Sequence, residues 1–259
     1  KIINHLHGSD FYEFLHNSPK WYRKILFKSY DKVDISIVLV ESMKLQFRDF
    51  KNMRIEVVPN FYDQELDNEL VKKDESRISL LYLSNIMVSK GIFELIDAFE
   101  KLIQKNDNII LNIAGEFLSD DYMNFNQVKK KFENKISKND KINDQGKIFG
   151  IDKIKLLQSS DIFILPSYKE AFPISIIEAM ASSNAVVVTD QKYISEVISS
   201  KNGVLIKKRS VDSLVNGIEF LINNKQKLKF IQNYNRQEAQ KKFSKQKYLK
   251  KLEQITMNV

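Results

Sequence analysis

Two glutamates, Glu170 and Glu178, stand eight residues apart in LPSYKEAFPISIIEAMASS, the stretch from Leu165 to Ser183, with Pro173 between them. Proline is tolerated in the first helical turn, where its missing N–H leaves no bond unmade. The stretch therefore predicts a helix that starts near Phe172 or Pro173 and runs to about Ala181. Glu170 then lies on the loop ahead of the helix and Glu178 on its second turn. The first amides of that helix, at residues 173–175, point back toward the loop with the positive end of the helix dipole behind them, and a phosphate suits such a place. One carboxylate beside it and another a turn and a half further on can accept hydrogen bonds from two hydroxyl-bearing parts of one ligand, such as a sugar and a ribose. The plainer alternative makes Glu178 a solvated helix residue and Glu170 a cap.

Lys90 precedes Gly91 at a second predicted helix start, where the dipole disfavours a cation. That position favours a ligand role over a structural one. Asn85 is either a ligand contact or a turn residue or N-cap. Gly115 with Glu116 reads as a tight turn and Asn202-Gly203 as a turn signal, while Asp161 and Asp190 read as caps beside strands. His7 is either a functional residue or a strand-end histidine, with His5 placed on the opposite strand face and His16 beyond.

Short β-branched runs alternate with longer helical patterns and must position these residues. Strands are predicted at 35–40, 55–60, 78–84, 109–115, 147–150, 161–167, 185–190 and 202–206. Most lack polar alternation, as in a parallel sheet covered on both faces. Helical spacing recurs at 91–105, 152–160, 173–183 and 210–224, and again in the lysine-rich stretch 225–255. Strand and helix in alternation predict a doubly wound α/β sheet, in which ligands sit beyond the carboxyl ends of the strands. Four post-strand segments, YLSNIMVSKG, AGE, FGID and PSYKEAFP, are then expected to face one cleft.

Composition narrows the chemistry. The 259 residues carry no cysteine, which excludes disulfides and thiolate metal sites, and the three histidines fall within the first sixteen residues. A catalytic metal held by protein ligands is not expected. A formal net charge of +8 fits anionic partners such as nucleotides or phospholipid head groups, or simply reflects a sequence rich in lysine, asparagine and isoleucine. No nucleic-acid-binding pattern accompanies the charge, so nucleic acid is not an expected partner. No apolar run reaches the roughly 18 residues needed to span a bilayer. A reducing, cytoplasmic setting is expected. The opening KIINHLHGSD, without an initiator methionine, reads as the end of a buried strand and predicts a fragment of a longer chain.

These residues together resemble a known family. EAFPISIIE resembles the E-x7-E element of retaining GT-B glycosyltransferases of the "glycosyl transferases group 1" type. LSNIMVSKGIFELIDAF is similar to their phosphate-binding loop, VVPNFYD to their interdomain segment, and HLHGSDF to their histidine-containing loop. The resemblance implies a GT-B fold: a carboxy-terminal Rossmann-like domain at 67–235, the tail of an amino-terminal Rossmann-like domain with its linker at 1–66, and a closing helix at 236–259 that packs back on the first part. It implies sugar transfer from a nucleotide-diphosphate-sugar donor to an alcohol, a glycan or lipid-linked glycan, without metal or other cofactor and with retention.

By the same resemblance Glu170 orients the sugar, Glu178 binds the ribose and Lys90 neutralises the diphosphate. The backbone of Ala171, Phe172, Ile174 and Ser175 supports sugar and diphosphate, that around Ile151 flanks the base, and His7 approaches from the other domain. Asn85 stands where many relatives have arginine, which shifts leaving-group stabilisation toward Lys90 and the helix terminus. The basic 225–255 stretch is implied to be the closing helices. An alternative role there, shared by the aromatic and basic 11–30, is peripheral contact with an anionic membrane at the inner face of the cytoplasmic membrane. Two other functional readings stand beside transfer: a non-hydrolysing nucleotide-sugar epimerase and a catalytically silent binding module.

Overall fold

The computed structural model describes residues 2–68 and 70–257. A small sheet of β1 (Ile3–His5), β2 (Ile35–Val38) and β3 (Arg54–Val57) is parallel throughout, in the order β1-β2-β3. Between β1 and β2 run α1 (Phe11–Asn17) and α2 (Lys20–Tyr30), parted at Pro19, whose fixed φ suits the position just ahead of a helix. β2 is buried at every position, and β1 is partly exposed at Ile3. The strand expected at the start of the chain is β1.

The larger sheet holds β4 (Ile78–Leu83), β5 (Ile109–Ala114), β6 (Ile142–Gly146), β7 (Ile162–Leu165), β8 (Ala185–Thr189) and β9 (Gly203–Ile206). All pairs are parallel, in the order β6-β5-β4-β7-β8-β9. Chain order runs outward from β4 in one direction and from β7 in the other, so the topological switch point lies between these two strands. Ligands of open α/β sheets bind beyond the carboxyl ends of the strands at that place, and the loops that leave β4 and β7 carry Lys90 and Glu170.

Helices α3 (Ile92–Ile103), α4 (Phe125–Ile136) and α7 (Val211–Ile222) bury Phe99, Phe132 and Ile218 against one face of this sheet. The other face takes α5 (Gly150–Ser159) and α6 (Ile174–Ala181), while α8 (Lys225–Phe243) joins the first core through Leu228 and Ile231 and the second through Ala239 and Phe243; the second core continues through Tyr62 and Leu66 to Phe47 and Leu15 of the amino-terminal part. The sheet is thus covered on both sides, as its continuous apolar strands require.

Two sequence expectations change here. The strand expected at 147–150 is instead β6, five residues earlier, and α5 begins at Gly150. β6 is the sheet edge, so its middle residues Asn143, Asp144 and Gln145 are exposed and polar and gave no apolar signal. Helix α4 answers to no expected helix, although a capping box between Asn124 and Gln127 fixes its start. The basic carboxy-terminal stretch is two helices, because Ser244 leaves the helical region (φ −70°, ψ 148°) and α9 (Lys245–Met257) starts anew. α8 runs unbroken through residues 235 and 236, and α9 buries Ile255 against Ile35, Ile37 and Val58 of the small sheet. No helix of the described residues is long and apolar enough to cross a membrane.

Candidate donor site

The loop after β4 turns through a short 3-10 segment, Val88–Lys90, and passes into α3 at Gly91, whose φ of 72° lies in the left-handed region. A Cβ there would sit 2.3 Å from the Pro166 carbonyl oxygen. Only glycine supplies both the conformation and the space, and its presence lets the loops after β4 and β7 touch. Across that contact the Lys90 Nζ donates to Glu170 Oε1 at 2.5 Å, with the two side chains 23% and 11% exposed. Gln191, from the loop after β8, steadies the acidic loop by accepting from the Glu170 N–H and donating to the Ser167 carbonyl, both at 2.8 Å. Gly115 has a similar packing role: its Cβ would fall 1.9 Å from the Ser84 carbonyl oxygen.

Pro173 is the N-cap of α6 (φ −69°, ψ 139°), one residue ahead of the helix proper. Proline has no N–H, so the amide set expected at 173–175 shrinks to Ile174 and Ser175, which have no preceding turn to bond to. Ile174 is exposed at this end, and Ala171 and Ser175 are half-buried. The Phe172 side chain, by contrast, is packed in the core 5.6 Å from the Phe243 ring, and its carbonyl accepts from Asn60 Nδ2 at 2.9 Å. Any part that Phe172 plays at the site falls to its backbone N–H.

Glu178 is buried, and its Oε1 accepts from Lys153 Nζ at 2.7 Å. An unpaired carboxylate in that position would carry a large desolvation cost, and the lysine offsets it. Glu178 and Ile174 line a cavity of about 330 Å³ with Asn60, Phe61, Asp63, Gln64 and Lys245. Glu170 and Glu178 therefore take separate lysines on either side of the start of α6. Three of the four post-strand segments are stitched to one another, since the Ile86 N–H donates to the Glu116 carbonyl and the Tyr168 N–H to the Ser89 carbonyl, both at 2.8 Å; Lys147, just ahead of FGID, pairs with Glu116 at 2.5 Å.

Asn85 is exposed at the rim, its carbonyl accepting from the Tyr82 hydroxyl at 2.7 Å. Ile151 and Phe149 are exposed where α5 begins. His7 is exposed on the amino-terminal part with its ring 4.1 Å from that of His5. The two histidines share a side, not opposite faces, as residues two apart in extended chain do. Burial, and then the neighbouring His7, pulls the His5 pKa from 6.5 down to about 4. Asn202 is more than a turn residue: it is buried and donates to Asn235 at 2.9 Å and Glu238 at 2.7 Å, tying β9 to α8. Asp161 does cap a strand, accepting from the Ser79 N–H at 2.9 Å.

Lys153, Gln191 and Asn60 are absent from the sequence-derived site. Lys153 and Gln191 reach partners 25 and 21 residues away, a separation that no local period reports. Asn60 did have a signal, since it closes the VVPN segment.

The profile of the family described as "Glycosyl transferases group 1" matches residues 63–238. The chain belongs to this family. Among its curated relatives, the N,N'-diacetylbacillosaminyl-diphospho-undecaprenol alpha-1,3-N-acetylgalactosaminyltransferase of Campylobacter jejuni is 37% identical over 112 residues, 42% of this chain and 30% of that protein. A putative teichuronic acid biosynthesis glycosyltransferase of Bacillus subtilis, TuaC, is 28% identical over 228 residues, 82% of this chain and 53% of that protein. The chain thus spans about a third to a half of the length of these curated relatives. Of solved structures, HepE of Anabaena in complex with UDP and glucose matches 99% of this chain and 71% of its own, with a TM-score of 0.80 at 19% identity. Sucrose-phosphate synthase of Thermosynechococcus elongatus matches with a TM-score of 0.79 at 18% identity, over 99% of this chain and 67% of its own. This group 1 chain accordingly has the parallel α/β fold of GT-B glycosyltransferases.

Proposed function

We propose that this part of the protein binds a nucleoside-diphosphate sugar at the start of α6 and serves transfer of the sugar to an alcohol, with retention and without a metal ion. The observation that carries the reading is the Lys90–Glu170 pair at the switch point beside the free amides of Ile174 and Ser175. Lys90 and those amides meet the diphosphate, where two positive features stand in the role of a cation. Glu170 orients hydroxyls of the transferred sugar. Glu178, held by Lys153, accepts from the ribose hydroxyls, and the backbone near Ile151 flanks the base. Asn85 adds an uncharged donor at the rim, and His7 approaches from the amino-terminal part.

In the transfer the bond from the anomeric carbon to the β-phosphate oxygen breaks, and the electron pair leaves with the nucleoside diphosphate. The acceptor oxygen bonds to the same carbon and passes its proton to the departing diphosphate oxygen. The complex of HepE with UDP-glucose supports a uridine donor, and the diphospho-undecaprenol in the Campylobacter relative's name supports a lipid-linked glycan acceptor. The lysine-rich helices α8 and α9 fit peripheral docking on an anionic membrane at the inner face of the cytoplasmic membrane, measured by flotation with phosphatidylglycerol vesicles.

Calorimetry with UDP, GDP, ADP and dTDP tests the donor reading. One of the four is expected to bind and to compete with its nucleotide sugars. A protein that binds none has no donor site. Turnover of UDP-N-acetylglucosamine with no acceptor present would replace transfer by epimerisation.

A further inference from the structure

A closed circuit of contacts surrounds the segment that carries Lys90. The Ser89 N–H donates to Asp120 Oδ2 at 2.6 Å, and the Ser89 carbonyl accepts from the Tyr168 N–H at 2.8 Å, so both backbone polar groups of the residue before Lys90 are fixed. Asp120 also accepts from the Tyr122 N–H at 3.0 Å. The Tyr122 and Tyr168 rings meet edge to face with centroids 5.7 Å apart, and the Tyr168 hydroxyl donates to Glu94. Arg209, from the loop after β9, closes the circuit. Its guanidinium donates to the Tyr122 hydroxyl and lies 4.3 Å from the centre of the Tyr168 ring. Arg209 does this from a backbone φ of 56°, a left-handed conformation that non-glycine residues adopt at a cost. A side chain kept at a position that favours glycine calls for a use of that side chain.

We infer that Arg209 is a positioning residue: stacked on Tyr168 and hydrogen-bonded to Tyr122, it holds the loops after β4, β5 and β7 in the arrangement that presents Lys90 to Glu170. Tyr168 is two residues before Glu170 and Ser89 is next to Lys90, so displacement at Tyr168 moves both members of the ion pair. The inference rests on the donor-site reading of that pair, and its test separates the two.

Wild type, Arg209→Gly, Arg209→Lys and Tyr122→Phe are compared for binding of UDP and of uridine, for melting temperature, and for amide hydrogen exchange at Ser89 and Tyr168. Arg209→Gly relieves the backbone, so its melting temperature is expected to stay level or rise. Its UDP affinity is expected to fall roughly tenfold, the worth of one lost charge-assisted contact, with uridine unchanged. Exchange at Ser89 and Tyr168 rises. Arg209→Lys keeps the charge but not the planar stack and is expected to bind UDP almost as weakly as the glycine variant. Tyr122→Phe shows a smaller loss of the same kind. Unchanged UDP affinity in Arg209→Gly, equal losses for UDP and uridine, or full recovery in Arg209→Lys overturns the positioning role. If wild type binds none of UDP, GDP, ADP and dTDP, the donor reading fails by itself, and exchange at Ser89 and Tyr168 still decides whether Arg209 holds the loops; where another of the four binds in place of UDP, it and its nucleoside replace UDP and uridine in the comparison.

Discussion

Truncation of Lys90 to alanine separates phosphate binding from every other role of the site. Its Nζ stands 2.5 Å from Glu170 Oε1, and both side chains are largely covered, so the charges are only partly screened by water. A hydrogen bond to a charged group contributes about 1.5–3 kcal/mol, which is about a 10- to 150-fold change in affinity. The alanine variant also leaves the Glu170 carboxylate uncompensated beside an incoming anion, which places the loss for UDP at the upper end of that range. Uridine, which lacks the diphosphate, keeps its affinity. Adding Glu170→Gln to Lys90→Ala removes the repulsion and is expected to recover about half of the lost free energy, a coupling that residues in contact commonly show. Calorimetry with both ligands across wild type, the two single variants and the double variant completes the cycle. Equal losses for UDP and uridine, or additive losses in the double variant, would refute the reasoning.

Glu178→Ala is expected to weaken UDP and uridine alike by about 1–3 kcal/mol, because the lost contact is to the sugar they share; a loss confined to UDP moves Glu178 off the ribose. Gly91→Ala forces a Cβ to 2.3 Å from the Pro166 carbonyl oxygen and a left-handed alanine, and is expected to cost about 1–3 kcal/mol in urea unfolding with the m-value unchanged. For His5 the folded pKa, about 4, lies below the 6.5 of the exposed group. The unfolded state then binds more protons between those values, so this group's contribution to stability falls as pH drops from about 6.5 to 4. Urea midpoints measured across that window should decline less steeply in His5→Gln than in wild type, and parallel curves would remove the assignment.

Much of the fold was legible because the central strands β4, β7 and β8 are apolar on both faces, and that pattern has few other meanings. The edge strand β6 defeated the same rule, because it is polar where it meets water. The joint at Ser244 was hidden by unbroken helical spacing on either side, since one serine between Phe243 and Lys245 carries a weak stop signal. At the site, Pro173 and the spacing of Glu170 and Glu178 located the start of α6, and Lys90 was marked by its awkward place before Gly91. What the spacing could not report was pairing across the sheet. The Lys153 partner of Glu178, the Gln191 brace on Glu170 and the Arg209 stack on Tyr168 all join loops that are distant in sequence, and Phe172 lay in a site motif while its ring belongs to the core.

Backbone amide shifts on titration with UDP and with uridine address the central placement of the diphosphate most directly. The account predicts that the amides of Ile174, Ser175 and Lys90 respond strongly to UDP and weakly to uridine, while residues around Glu178 and Lys153 respond to both. Large UDP-specific shifts confined to another face of the sheet, with Ile174 and Ser175 unmoved, would contradict it.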